Sequence, residues 1–296
     1  MLMNKISYLR ALIIIVAMIL TIGLLTGCAE QPVDPENGNG DEQSALPGDN
    51  GVDNGEANGI GVDEEMVFEQ GFYRPDEQNL PDEIRQWITY SRELQAVQER
   101  EYDGYRFVLV TMGTKPTGGY SIEVVDVVSA EEELVVNVQT QEPAEGDPVT
   151  TAITYPYDLV IVEEQALPLR AIDIDESDRY FMSVYGIDYI DQPIVASSEW
   201  IKVFSPEPNE KVWGSFKLTG LTSVFEGTVS YELISNTGDV IGTGFTTGMM
   251  GDWGYFEEEI QIPSGTTGDI LLELYSVSMK DGSKMFVVEI PLVVEN

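Results

Sequence analysis

The stretch Tyr105-Arg-Phe-Val-Leu-Val110 decides the fold class of the first half of the chain. Phe107 and Leu109 fall on one side of an extended backbone, and Val108 and Val110 fall on the other. This period of two predicts a β-strand. Further strand-like runs, separated by turn residues, are predicted at 120–128, 134–139, 149–155 and 157–163.

One helix is predicted before these strands. Over residues 80–97 the apolar side chains of Ile84, Trp87 and Leu94 fall on a single face at helical spacing. The helix and the strands together predict a small α+β domain over residues 66–163.

The C-terminal residues 200–296 predict a β-sandwich. Turn sequences such as Asn236-Thr-Gly-Asp239 separate short apolar runs, a spacing that favours an immunoglobulin-like fold. A connecting segment is predicted at 164–199. The predicted fold class is mostly β with one N-terminal helix, a small α+β domain followed by an immunoglobulin-like β-sandwich. The seven predicted strands of the sandwich lie at 201–203, 216–218, 229–233, 241–245, 255–260, 270–277 and 285–294.

The N-terminus resembles an export signal. A basic segment containing Lys5 precedes an apolar run at 11–25, which ends in Leu25-Thr-Gly-Cys28. This order is typical of a lipoprotein signal peptide, here residues 1–27, whose lipobox cysteine receives a lipid. An uncleaved membrane helix is the alternative, although the run is shorter than the roughly 20 residues that a spanning helix needs. We therefore expect a covalent lipid on Cys28 and no other cofactor.

Residues 28–65 are predicted to be a disordered acidic tether. They are rich in Gly, Asn, Asp and Glu, and such a composition buries too little apolar area to offset its chain entropy. A flexible segment of this length spans about 35 Å root-mean-square. The tether would hold the folded domains clear of the outer face of the bacterial cytoplasmic membrane.

Composition excludes several functions. The formal net charge of −37 makes nucleic acid and anionic lipid headgroups poor partners. The chain has no histidine and one cysteine, so Ser-His-Asp and Cys-His catalysis, histidine-ligated zinc and disulfides are excluded. The 52 acidic residues bring carboxylates together by chance, so their abundance alone does not indicate a hydrolase. We expect a protein that is not an enzyme and binds no metal.

Three motif-like stretches fail as ligand sites. In the acidic stretch 173–178 a calcium loop would need Gly where Asp178 stands and Glu where Val184 stands, so it is interpreted as a solvated loop. Residues 113–120 do not fit a phosphate loop, and residues 242–248 do not fit a dinucleotide fingerprint. Both glycine clusters are predicted to be structural turns.

Two stretches carry a family resemblance. Gly113-Thr-Lys-Pro-Thr-Gly-Gly-Tyr-Ser-Ile122 and Thr154-Tyr-Pro-Tyr-Asp-Leu-Val160 resemble the C-terminal domain of the PrcB subunit of bacterial protease complexes. The resemblance covers residues 105–163 and implies a partner of a surface protease, not a catalyst. We expect the backbone at Gly118 and Gly119 to meet a partner strand directly. The partner-binding candidates are Lys115, Pro116, Thr117, Gly118, Gly119 and Tyr120, and the structural motif positions are Thr154, Tyr155, Pro156 and Tyr157.

A second resemblance covers nearly all of 200–296. Residues 201–210, Val224-Phe-Glu-Gly-Thr-Val-Ser-Tyr231, Gly251-Asp-Trp-Gly-Tyr-Phe256 and residues 280–283 are similar to the immunoglobulin-like domain of bacterial spore germination. It implies an extracytoplasmic adhesion or assembly module of a Gram-positive bacterium, without a known active site. Its motif residues are expected to pack the sandwich, and a surface role is the alternative. They are Phe225, Glu226, Gly227, Trp253, Gly254 and Phe256.

These observations predict a non-catalytic cell-surface lipoprotein that binds or scaffolds an envelope protein. The partner could be a surface protease or a sporulation or germination assembly. The alternative is a protease inhibitor, because Pro116-Thr-Gly-Gly-Tyr120 is similar to the Pro-Thr-Thr-Gly loop of chagasin-like cysteine protease inhibitors. Gly118 replaces the second Thr of that motif.

Overall fold

The computed structural model describes only part of the chain. The predicted signal peptide at 1–27, Cys28 and the tether at 28–65 lie outside the described residues. Within the described part, no helix is long and apolar enough to cross a membrane. The described residues are 66–130, 132–163, 167–175, 178–180, 184–187 and 190–295.

The N-terminal module, residues 66–180, has three layers. Helix α1 packs on one face of the sheet β1-β6-β3-β2, and the sheet β4-β5-β7-β8 covers its other face. Its elements are β1 (Phe72–Tyr73), a 3₁₀ turn (Glu77–Asn79), α1 (Asp82–Ser91), β2 (Gln95–Tyr102), β3 (Tyr105–Met112), β4 (Ser121–Ser129), β5 (Leu134–Gln141), β6 (Tyr157–Val162), β7 (Leu169–Asp173) and β8 (Asp178–Arg179).

Strand β3 lies at the centre of this module, as its sequence predicts. Phe107 and Leu109 pack under α1, whereas Val108 and Val110 pack against the second sheet, and all four are fully buried. A strand covered on both faces carries a continuous apolar run because neither face meets water.

The predicted helix over 80–97 is too long. Helix α1 ends at Ser91, and β2 begins at Gln95. Asp103 and Gly104 both have positive φ and form the two-residue turn of a hairpin in which Tyr102 pairs with Tyr105. An Asp-Gly turn favours a hairpin. Residues 95–102 therefore pair with β3 as a strand, although the apolar spacing of the sequence predicts a helix there.

The strand predicted at 149–155 is wrong. Its only strand-like pairing among the described residues is a single bridge between Thr154 and Lys115. Pro148 and Pro156 flank the segment and cannot donate to a ladder, so the chain runs beside the 113–120 loop instead of joining a sheet.

Part of the predicted connecting segment belongs to the N-terminal module. Strand β7 pairs in parallel with β5, with Leu169 opposite Leu134, and β8 pairs with β7. Ala171 lies in the core between the two sheets. The module therefore continues well past residue 163.

The C-terminal module, residues 194–295, is a sandwich of the sheets β15-β12-β10-β9 and β11-β17-β16-β13-β14. All seven predicted strands are present, and β9 and β11 are two short additions. The elements are β9 (Ala196–Ser197), β10 (Ile201–Ser205), β11 (Glu210–Val212), β12 (Ser215–Thr222), a 3₁₀ turn (Phe225–Gly227), β13 (Thr228–Ser235), β14 (Val240–Thr247), β15 (Gly254–Gln261), β16 (Gly268–Val277) and β17 (Lys284–Val294).

A buried seam joins the two modules. Leu94 and Ala96 of the N-terminal module share an apolar cluster with Phe204 and Leu221 of the sandwich. Lys202, only 2% exposed, adds a polar contact to this seam. Both modules belong to one compact unit.

Candidate functional site

The 113–120 loop is braced by the segment that faces it. Lys115 and Thr154 exchange two backbone hydrogen bonds, of 2.9 and 3.0 Å from nitrogen to oxygen. The Thr154 hydroxyl also donates to the carbonyl of Thr117 at 2.7 Å. The loop therefore holds one backbone shape before any partner arrives.

The two adjacent glycines of this loop pack against its neighbours. Gly118 donates its N–H to the Thr150 carbonyl at 3.0 Å, and a Cβ there would lie 2.5 Å from the Thr150 hydroxyl. Gly119 has a φ of +89°, and a Cβ would lie 3.0 Å from Pro143. Direct pairing of a partner strand with Gly118 is therefore not available, because its N–H already has an acceptor.

The partner-binding candidates differ in exposure. Pro116 and Gly119 are exposed, whereas the other four candidates are half-buried. Lys115 places its ammonium 5.3 Å from the centroid of the Tyr120 ring, a cation–π contact that holds both side chains against the loop. Thr114, which sequence reasoning did not single out, is also exposed beside Pro116.

The second motif, Thr154 to Tyr157, leads from the brace into β6. The carbonyl of Pro156 accepts a hydrogen bond from Met112 N–H at 2.9 Å, and the Arg92 guanidinium lies 4.8 Å from the Tyr155 ring centroid. Tyr157 donates its hydroxyl to Glu77 at 3.1 Å. Burial and the nearby Glu77 carboxylate raise the pKa of Tyr157. These contacts are within the chain and place the motif in the framework of the loop.

The motif residues of the sandwich divide between core and surface. Phe256 is 1% exposed, and Gly227 and Gly254 are buried, but Phe225 is 67% exposed. The expectation of packing is therefore wrong for Phe225 and for Glu226, which is also exposed. Phe225 lies in the 3₁₀ turn before β13, where Glu226 has a φ of 64°, and not in a strand that would direct it inward.

The tryptophan of this motif lies against a second aromatic ring. Trp253 stacks on Trp200 with ring centroids 6.3 Å apart, and Trp200 meets Phe286 edge-on at 6.4 Å. The Lys202 ammonium lies 5.9 Å from the Trp253 ring centroid. Trp253 also packs on the apolar cluster of the seam, so it belongs to the joint between the modules.

Lys202 is an interacting residue that the sequence motifs did not single out. Its ammonium donates to the Glu93 carboxylate at 2.6 Å and to the Ser197 hydroxyl at 2.8 Å. Burial lowers the pKa of Lys202, and the hydrogen bond to Glu93 opposes that change. The available signal was a lysine inside the otherwise apolar run Ile201-Lys-Val-Phe204.

A cleft of about 220 Å³ lies beside the seam. Glu83 and Arg100 form an ion pair in its wall, and Tyr90 and Glu207 line it from either module. Throughout the described ranges, no three Asp, Glu, His or Cys side chains come close enough together to hold a metal ion.

Comparison with protein-family models agrees with both modules. Residues 106–163 match the PrcB C-terminal family model. Residues 200–283 match the model for the immunoglobulin-like domain of bacterial spore germination. The two resemblances seen in the sequence are thereby confirmed. The PrcB match runs from β3 to β6 and includes the braced loop. No curated protein matches the chain.

Proposed function

We propose that the protein is a non-catalytic lipoprotein on the outer face of the cytoplasmic membrane of a Gram-positive bacterium, where it binds or scaffolds an envelope protein. One observation carries the proposal. A PrcB C-terminal module and an immunoglobulin-like module of the spore germination type lie next to each other in one chain. The PrcB resemblance associates the first module with protease complexes, and the family name of the second associates it with spore germination.

The braced loop supports a binding role. Its backbone is held by Thr150 and Thr154, so a partner would not have to order it, and ordering costs free energy on binding. The side chains of Thr114 and Pro116 remain exposed for contact. We place the contact at these side chains, and a surface protease is the proposed partner.

The lipid anchor rests on Leu25-Thr-Gly-Cys28 and is tested on living cells. Radiolabelled palmitate should label the wild-type chain and leave a Cys28→Ala variant unlabelled. The variant should also move from the membrane fraction to the soluble fraction. Equal labelling, or equal fractionation of the two chains, would contradict the anchor.

The loop contact is tested with a point substitution. Deletion of residues 113–120 would remove the bonds to Thr150 and Thr154, so loss of binding could reflect damage to the module. Thr114→Lys leaves those backbone bonds in place, and Thr89→Lys on the exposed face of α1 is the matched control. Crosslinking on intact cells followed by mass spectrometry should lose one protein partner with Thr114→Lys only.

The rival function is protease inhibition through the same loop. A loop fixed in one shape by Thr154 suits an inhibitor as well as a scaffold. An assay of peptide hydrolysis by papain-type enzymes distinguishes the inhibitor from the scaffold. Added inhibitor would stop hydrolysis, whereas an added scaffold would leave its rate unchanged. We expect an unchanged rate.

A further inference from the structure

Each of the four described sheets has one short edge strand and one long edge strand. The short edge strands, β1, β8, β9 and β11, have two or three residues. The long edge strands are β2, β4, β14 and β15, with eight or nine residues. An edge strand has backbone N–H and C=O groups that no neighbouring strand uses, so long edges are where another chain can pair.

The long edge of β4 is closed by other parts of its module. Val124 donates its N–H to the Asp158 carboxylate at 2.8 Å, and its carbonyl accepts from Arg74 at 2.8 Å. Val127 donates its N–H to the Gln70 carbonyl at 2.9 Å. A register shift between Val124 and Asp126 further interrupts this edge.

The edges of β2 and β15 are also protected. Glu99 of β2 donates its N–H to the Asp191 carbonyl at 3.2 Å, and Tyr255 of β15 donates its N–H to the Tyr185 carbonyl at 2.8 Å. Both strands carry charged side chains, with three consecutive glutamates at 257–259 in β15. Charged edges discourage pairing with another strand.

Strand β14 lacks the hydrogen bonds and the charged side chains that protect the other three long edges, and only a register shift in its ladder with β13, between Leu233 and Ile234, interrupts it. Its sequence, Val240-Ile-Gly-Thr-Gly-Phe-Thr-Thr247, contains neither charge nor proline. Beyond its ladder with β13, no hydrogen bond between described residues involves a backbone group of 240–247. Alternate N–H and C=O groups of β14 therefore face away from β13 without an acceptor or donor in the described chain.

The side chains next to this edge define what could pair with it. Phe245 is 65% exposed on the outer face, where it offers a cross-strand contact to an added strand. On the inner face the Tyr231 ring lies across Gly244, and burial and the Glu258 carboxylate raise the pKa of Tyr231. Asp239 immediately precedes β14.

These carboxylates favour a cationic occupant. Asp239 immediately precedes β14, and Glu258 follows Glu257, whose carbonyl accepts from the Thr246 hydroxyl of β14 at 3.4 Å. The whole chain carries a net charge of −37. A second copy would bring the same acidic groups and the same net charge to the pairing, which opposes association. A segment bearing lysine or arginine would instead be drawn to the edge.

We infer that β14 accepts an extended, basic segment of a partner protein as an additional strand of its sheet. Backbone hydrogen bonds to β14 would hold the segment, as in other cases of strand addition. An apolar side chain would lie on Phe245, and basic side chains would approach Glu258 and Asp239. The inference rests on the proposed binding function but requires neither the lipid anchor nor the 113–120 loop.

The experiment uses the full chain in detergent and three synthetic peptides of about ten residues. The first alternates lysine with valine, and the second has glutamate in place of lysine. The third is the first peptide with its central valines replaced by proline, which cannot complete a ladder. Affinity is measured by fluorescence anisotropy, and the pairing strand is located by hydrogen exchange of backbone amides. Phe245→Lys is the test variant, and Val287→Lys, an exposed position on strand β17 of the same sheet, is its control.

The lysine–valine peptide should bind and slow hydrogen exchange in β14 alone. Phe245→Lys should weaken that binding by about tenfold, because it removes the apolar contact and adds a like charge, and Val287→Lys should not. Equal binding of the glutamate or proline peptide, protection of a different strand, or no binding would overturn the inference. Concentration-dependent dimerisation that Phe245→Lys abolishes would identify a second copy as the occupant, and that would also overturn it.

Discussion

The two modules differ in whether backbone groups that no β-ladder pairs have hydrogen-bond partners elsewhere in the module. In the N-terminal module Gly118, Val124 and Val127 all donate to acceptors within the module. In the C-terminal module the edge of β14 has no such acceptors among the described residues. The difference separates two kinds of edge, since the long β4 edge of the first module is closed by hydrogen bonds, whereas the β14 edge of the second remains open to another strand.

The largest effect that tests this comparison is expected at Asp158. Its carboxylate accepts from Arg74 at 2.8 Å and from Val124 N–H at 2.8 Å, and its side chain is only 14% exposed. Asp158→Ala should lower the free energy of unfolding in urea by about 2–3 kcal/mol, because both donors lose a charged acceptor. Asp239→Ala, beside the open β14 edge, is the control and should stay within about 0.5 kcal/mol of wild type. Equal losses would show that the two edges do not differ.

The seam between the modules gives the next effect. Glu93→Gln removes the carboxylate that is hydrogen-bonded to Lys202, a residue only 2% exposed, and should lower the free energy of unfolding by about 2 kcal/mol. Lys202→Met should cost less, within about 1 kcal/mol, because the Glu93 side chain is 33% exposed and can be hydrated. Thermal and urea unfolding measure both variants. A costlier Lys202→Met would contradict the account.

Glycine substitutions sharpen the same comparison on a smaller scale. Gly119→Ala should cost about 1–2 kcal/mol, since the residue has a φ of +89° and a new Cβ would crowd Pro143. Gly242→Ala in β14 should cost less than about 0.5 kcal/mol, because its φ is not positive and a new Cβ would come no closer than 3.3 Å to the Leu233 side chain. Urea midpoints at equal slopes provide the measurement. A larger loss of unfolding free energy for the β14 variant than for Gly119→Ala would contradict this expectation.

The smallest effect concerns pH at the protected edge of β15. Tyr255 donates to Glu257 at 2.9 Å, and burial, followed by this hydrogen bond, raises its pKa from 10.0 to about 12. A tyrosine whose pKa is higher in the folded state contributes stability that is complete below pH 10 and is lost as pH rises toward 12. The stability difference between wild type and Tyr255→Phe should therefore be constant between about pH 6 and pH 9, where Glu257 stays ionised, and shrink above about pH 10. A difference that grows above pH 10 would contradict this sign.

Local patterns predict much of the fold. The alternation in 105–110 and the short runs of the sandwich place β3 and seven strands correctly, because each pattern matches a strand with at least one buried face. The helical spacing wrongly predicts a helix as far as Leu94 and beyond. The residues from Gln95 to Tyr102 instead form β2, because the Asp103-Gly104 turn pairs them with β3. Local patterns could not place β7, because its parallel partner β5 lies far away in sequence.

The candidate site was less predictable than the fold. The glycines of the 113–120 loop are visible in the sequence, but their neighbours Thr150 and Pro143 are not adjacent in sequence, so the bond that occupies Gly118 N–H could not be foreseen. Phe225 has the composition of a core residue but lies in a turn. The β14 edge is open because no other described segment covers it, and only the three-dimensional structure shows this.

Hydrogen–deuterium exchange on the wild-type chain, read amide by amide, tests the difference between the modules most directly. The account predicts slow exchange at Gly118, Val124 and Val127, and fast exchange at every second amide of β14. Slow exchange along the whole of β14, or fast exchange at Gly118 and Val124, would contradict it.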